Sequence, residues 1–146
     1  MGVDFKSSPE NMDFGKVTQW LSEVYWSPGI TRAEVEYGAV NSALVVGGFN
    51  ESDEQVSYLR VVSDRVRFAY VLDVVVAIPF RGQGIGKRMM QYTLGHPHLQ
   101  LVYQWALRTS GAQEFYAQLG FRRVEGSEQW MIIQQPRPDR GEFSPI

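Results

Sequence analysis

The chain contains no cysteine, which excludes disulfides, thiolate nucleophiles and zinc–thiolate sites. Its only histidines are His96 and His98, so a metal centre would have to be built from carboxylates. No acidic cluster with ligand spacing is present, and no metal site is expected. Neither sign of charge dominates: 14 Lys and Arg stand against 16 Asp and Glu, a net charge of −2. Without a basic stripe to displace counterions, nucleic acid is not an expected partner. No stretch approaches the roughly 20 apolar residues of a membrane span, and the first residues lack the apolar core of a signal peptide. The expectation is a cytoplasmic protein with no membrane partner.

What is present has the proportions of one globular domain: 146 residues, 44% hydrophobic and 21% charged. Residues 1–12 show no periodicity and read as a flexible N-terminus. Val17, Trp20, Leu21, Val24 and Tyr25 recur at helical spacing, giving an amphipathic helix over Asp13–Trp26 with Asp13 as its cap. Ser27-Pro28-Gly29 breaks it. Thr31-Arg32-Ala33-Glu34 has capping-box form and opens a short second helix to about Tyr37 or Ala39.

The period then changes to two. Ser42–Phe49, Gln55–Val62 and Val66–Ala77 read as three strands of an antiparallel meander, separated by turns at Asn50–Asp53 and Ser63–Arg65. Ile85, Met89, Met90 and Leu94 mark one face of a helix that Gly95 ends, and Leu101 to Leu107 alternate as a strand. Ala112–Leu119 is a short helix stopped by Gly120. Phe121–Val124 and Gln129–Ile133 suggest a closing hairpin, and the proline-rich residues 136–146 a flexible, solvated tail. The predicted class is α/β, order ααβββαβαββ, in a single domain over residues 13–135. The helix between the third and fourth strands requires a parallel crossover in a mostly antiparallel sheet.

The most informative stretch is Arg81-Gly82-Gln83-Gly84-Ile85-Gly86-Lys87, directly after the β-branched run. Glycines at the start of a helix clear the backbone N–H groups to face an anion, here a phosphate. The P-loop pattern fails, because Arg88 follows Lys87 and no glycine stands at the required upstream position. The dinucleotide fingerprint fails too, since its third glycine would fall on Lys87. The pattern that fits is [Q/R]-x-x-G-x-[G/A], met by Arg81, Gly84 and Gly86.

With this loop, and with Phe115-Tyr116-Ala117-Gln118-Leu119-Gly120-Phe121 downstream, the chain resembles the GNAT superfamily of N-acetyltransferases, and small bacterial single-domain members in particular. The strong resemblance spans Leu72–Phe121. It implies a sheet splayed at an acyl-CoA site, with acetyl-CoA as acyl donor and no metal. The resemblance assigns the pyrophosphate to Arg81, Gly82, Gln83, Gly84, Ile85, Gly86 and Lys87, and the pantetheine arm to the backbone of Val74 and Val76. Thr109 stands where many members place an asparagine that bonds that arm. Alternation puts Tyr70, Leu72, Val74 and Val76 on one face, which a plain core strand would also show.

The implied reaction is direct attack of a primary amine on the thioester in a ternary complex, with Tyr116 as the acid at the leaving sulfur. Tyr116 could equally be an aromatic packed on the sheet. Asp73, a carboxylate among valines, is either paired with an arginine or backbone amide, or lines the cleft as a base. Glu23, Glu34 and Glu36 read first as solvated helix residues. The acceptor is a small-molecule or peptide amine, a homodimer is possible, and a non-catalytic acyl-CoA-binding module is the alternative.

Overall fold

The structure is a computed structural model and describes residues 2–139. Its elements are β1 (Asp4–Ser7), α1 (Phe14–Glu23), α2 (Arg32–Val40), β2 (Leu44–Phe49), β3 (Gln55–Ser63), β4 (Phe68–Val76), α3 (Ile85–Leu94), β5 (Gln104–Ala106) and α4 (Gln113–Ala117). The five strands lie in chain order, antiparallel from β1 to β4 and parallel between β4 and β5. The mixed α/β class and the crossover through α3 are as the sequence predicts.

The two sheet faces carry separate cores. Under α3 and α4 lie Val46, Leu59, Val61, Ala69, Val71, Met89 and Met90. Under α1 and α2 lie Val17, Leu21, Val35, Val45, Tyr58 and Val75. β2 is buried at all six positions because β1 and β3 flank it and a core covers each face. Its glycines have a packing reason. A Cβ on Gly48 would fall 2.4 Å from Ser57 Oγ, and one on Gly47 2.8 Å from the Met12 sulfur.

Local chemistry sets the helix ends. Asp13 accepts from the Lys16 N–H at 3.2 Å to start α1, and Thr31 and Glu34 close the expected capping box on α2. α1 stops at Glu23, three residues before the predicted end. There the Ser27 hydroxyl donates to the Leu21 carbonyl at 2.6 Å and the Gly29 N–H to the Ser22 carbonyl at 3.1 Å. These bonds satisfy carbonyls left over at the helix end and turn Val24, Tyr25 and Trp26 into a connecting loop.

Three expectations are corrected. Part of the segment expected to be loose, Asp4–Ser7, pairs residue for residue with β2. A four-residue edge strand has too little alternation to be read alone, because its partner creates it. The closing hairpin is not formed among the described residues: Phe121–Val124 and Met131–Ile133 are irregular, and Met131 and Ile133 are about nine-tenths exposed. β-propensity without a partner edge is insufficient. The order is thus βααβββαβα. Of the expected tail, residues 136–139 are irregular and exposed, and 140–146 lie outside the described residues.

The third correction concerns β4. Even-numbered residues do not keep one face. Ala69 and Val71 pack under α3 together with Val74, whereas Val75 packs in the opposite core with Tyr58. The register explains it. Tyr58 faces Val75 and Arg60 faces Leu72, so β4 carries one more residue than β3 across this step. That is a β-bulge, with Asp73 at φ 59 in the left-handed region. The bulge flips the alternation beyond it.

Candidate active site

Three features of β4 and its sequel create the site. Pairing of β4 with β5 covers only Phe68 to Tyr70, so toward its C-terminal end β4 has no neighbour on that side and the sheet splays. The bulge then redirects Val74, Val75 and Val76. Finally the chain makes a short turn at Ile78–Phe80 and enters the glycine loop. A cleft of about 430 Å³ lies here, with Val74, Val75 and Val76 in its lining. Arg81, Gly86 and Phe115 come from the loop, α3 and α4, and Val24, Tyr25 and Trp26 from the connection after α1.

The loop has the geometry an anion cradle needs. Gly82 at φ 80 and Gly84 at φ 79 hold left-handed conformations that side chains with a Cβ rarely adopt. A Cβ at either would meet nothing within 4 Å, so the glycines face open space rather than packed protein. The first turn of α3 closes with the Arg88 N–H on the Gly84 carbonyl at 3.1 Å, and Gly84 supplies no side-chain cap. The N–H groups of Ile85, Gly86 and Lys87 therefore stand at the positive end of a ten-residue helix. Ile85 anchors the turn through a buried side chain, while Gln83 and Lys87 are exposed. The loop thus offers free N–H groups at a helix N-terminus, and beside it β4 keeps an edge unpaired among the described residues.

Arg81 is exposed and its Nε donates to the Val76 carbonyl at 2.8 Å, linking loop and strand. Arg88 turns away, donating to the Val3 carbonyl at 2.7 Å and lying 5.4 Å from the Phe5 ring centre. Thr109 organises the approach to α4: its hydroxyl accepts from the Ala112 N–H at 3.0 Å and its carbonyl from the Gln113 side chain at 3.1 Å.

Asp73 is engaged by Arg60, Nε to Oδ2 at 2.7 Å, with both side chains mostly buried. The Arg60 guanidinium also lies close against Gly38 of α2, where a Cβ would come within 3.5 Å of it. Of the two readings of Asp73, the arginine partner is the one the geometry displays, and Asp73 is not part of the cleft lining. Its carboxylate sits on the bulge that redirects the strand. Of the helix carboxylates, Glu23 is exposed and the other two are engaged. Glu34 is held in the capping box, and Glu36 pairs with Arg32 at 2.7 Å.

Tyr116 lies in the core beneath the sheet, its ring edge-on to Phe115 and Phe121 at 5.0 and 5.9 Å. Burial raises its pKa above the usual 10.0, so it is a neutral phenol at physiological pH and able to donate. Its neighbour Phe115 reaches the cleft lining. Sequence reasoning gave Phe115 no part in the site and read Val24, Tyr25 and Trp26 as the end of the first helix. The break at Ser27-Pro28-Gly29 was the available signal that this end of α1 would be loop. His96 and His98 lie elsewhere. His96 Nδ1 accepts the His98 N–H at 3.1 Å, which leaves Nε2 to face Ser7 Oγ of β1, also at 3.1 Å.

Residues 41–123 match the family model described as the acetyltransferase (GNAT) domain. The structure superposes with TM-score 0.87 on a protein described as belonging to the GNAT family, from Xanthomonas campestris pv. campestris. That protein is 33% identical, over 93% of this chain and 95% of the other. A GNAT-family acetyltransferase from Streptococcus pneumoniae TIGR4 shares 22% identity over 95% and 99% of the chains, TM-score 0.67. Glucosamine-6-phosphate N-acetyltransferase from Arabidopsis thaliana shares 17% over 92% and 98%, TM-score 0.61. These last two similarities concern the fold. No curated protein matches the chain in sequence. The chain belongs to the GNAT family of acetyltransferases and is an acyltransferase. The family uses acetyl-CoA and acts on amine acceptors in general. Among the described residues no helix is long and apolar enough to cross a membrane.

Proposed function

We propose that the protein transfers the acetyl group of acetyl-CoA to a primary amine by direct attack in a ternary complex. The observation that carries this reading is the continuity of one cleft. It runs from the uncapped glycine turn of α3 along the unpaired edge of β4 to the loop after α1. The pyrophosphate would take the N–H groups of the Gly82–Lys87 turn, and the pantetheine arm would add to β4 at Val74 and Val76 as an extra strand.

In the reaction the neutral amine attacks the thioester carbonyl, a C–N bond forms and the C–S bond breaks. A β4 amide stabilises the tetrahedral oxyanion. The nitrogen gives its proton to solvent water, the leaving sulfur takes one from the Tyr116 phenol, and the phenolate is reprotonated from solvent. Asp73 has a ready role in holding the bulge rather than in accepting this proton, because its carboxylate already neutralises Arg60.

The test is a panel of primary amines incubated with acetyl-CoA, read by released thiol and by mass of the acetylated product. Product with at least one amine is expected. Acetyl-CoA binding without thiol release from any amine would instead identify an acyl-CoA-binding module.

A further inference from the structure

The cleft lining is unusual in charge. Among the described residues its ionisable groups are the Arg81 guanidinium and the Tyr25 phenol, with no aspartate or glutamate. The loop after α1 instead contributes two aromatic rings, Tyr25 and Trp26, packed edge to face at 5.1 Å and respectively 70% and 44% exposed. Tyr25 is held in place across the cleft mouth, where its hydroxyl shares a 2.5 Å hydrogen bond with Ser110 Oγ of the loop before α4. Large exposed aromatics cost solvation unless something covers them, and these two are fixed where a ligand would pass.

We propose that the acceptor is a primary amine carried on an aromatic or branched apolar body, seated against Tyr25 and Trp26, and that polycations are disfavoured. The proposal rests on the acetyltransferase reading of the same cleft. Rings supply stacking area for the body and a negative face for a single ammonium group. A polyamine or aminoglycoside needs carboxylates to offset several charges, and this lining offers none. The same lining bears on the missing base. An ammonium group that loses water against a largely apolar lining without carboxylates is disfavoured in its charged form. It releases its proton to solvent water on entry, and the neutral amine is what attacks.

The test compares phenethylamine, spermidine and tobramycin with acetyl-CoA, by thiol release and calorimetric acetyl-CoA binding. The proposal expects phenethylamine to exceed both polycations in kcat/KM by about tenfold or more, the ratio set by one good aromatic contact. Equal or better use of spermidine or tobramycin overturns it while leaving the acetyltransferase reading intact. Intact acetyl-CoA binding with no release from any amine overturns both. As a second measurement, Trp26→Ala should raise the KM for phenethylamine about fivefold, with acetyl-CoA affinity unchanged and Trp26→Phe restoring most of the loss. An unchanged KM in Trp26→Ala overturns the placement of the amine's body.

Discussion

Replacing Asp73 in a graded series separates what its backbone does from what its charge does. The residue holds φ 59 and faces Arg60 Nε at 2.7 Å, with side-chain exposures of 23% for Arg60 and 12% for Asp73. Asn and Gly both tolerate the left-handed region and both remove the charge. They should cost about 1–2 kcal/mol, a buried-pair penalty reduced because Arg60 keeps partial access to water. Ala adds a left-handed backbone cost of about 1 kcal/mol. Val, β-branched at positive φ, adds about 2 kcal/mol or more, for a total near 4 kcal/mol, a large share of a typical domain's stability. Urea denaturation of the series checks the order: Asn and Gly mildest, Ala worse, Val worst. The functional arm uses the mild variants. If the ion pair holds the bulge that aims Val74 and Val76, Asp73→Asn should raise the KM for acetyl-CoA severalfold with little change in kcat. A Val variant as stable as the Gly variant would refute the backbone argument, and an unchanged KM in Asp73→Asn the positioning argument.

Gly84→Val should lose acetyl-CoA binding by calorimetry. A β-branched residue at φ 79 costs the fold about 2 kcal/mol or more, and an added Cβ meets no protein atom within 4 Å, only the space assigned to the pyrophosphate. Tyr116→Phe should keep acetyl-CoA affinity and lose most of kcat; full turnover would remove Tyr116 from the chemistry. Because burial raises the pKa of Tyr116, kcat of the unaltered protein should not fall at alkaline pH until beyond the ordinary phenol value of 10.0. Burial, and secondarily the neighbouring His98, hold the pKa of His96 below its ordinary 6.5. The unfolded chain then binds the extra proton more readily. Stability is present above 6.5 and lost as pH falls toward the lower folded value. A urea midpoint that fails to drop across this acidic range, or drops equally in His96→Gln, would contradict that.

The middle of the fold was legible because local chemistry there agrees with tertiary structure. The capping box at Thr31 and Glu34, the β-branched strands and the glycine turn into α3 each carry their own cause in adjacent residues. The ends were not legible. β1 exists because β2 offers it a partner, and Met131–Ile133 has strand composition but no partner among the described residues. The bulge was hidden for a different reason. Residues 71–76 are apolar at every position but Asp73, so an extra residue reverses the faces without leaving a mark in the pattern of residue types. The one available signal was Asp73 itself, an isolated carboxylate among valines, with Arg60 on the facing strand opposite Leu72, its immediate neighbour. In the site, the loop was readable because glycine spacing is a backbone requirement. The cleft aromatics were not, since whether Tyr25 and Trp26 are helix or loop depends on where Ser27 and Gly29 bond.

The four residues of β1 act as a selvedge on the sheet. Beneath them lies β2, apolar throughout and buried at every position, whose outer edge from Val46 to Phe49 is covered by this pairing. The strip is stitched down at its C-terminal end by Lys6 on Asp53 at 2.7 Å and Ser7 on His96 at 3.1 Å, while Arg88 reaches Val3, just before its start, from α3. Shortening the protein past Ser7 would therefore convert an interior strand into a bare hydrophobic border, the form of edge that recruits other chains. A part of the molecule with no share in the cleft thus governs whether it stays dispersed.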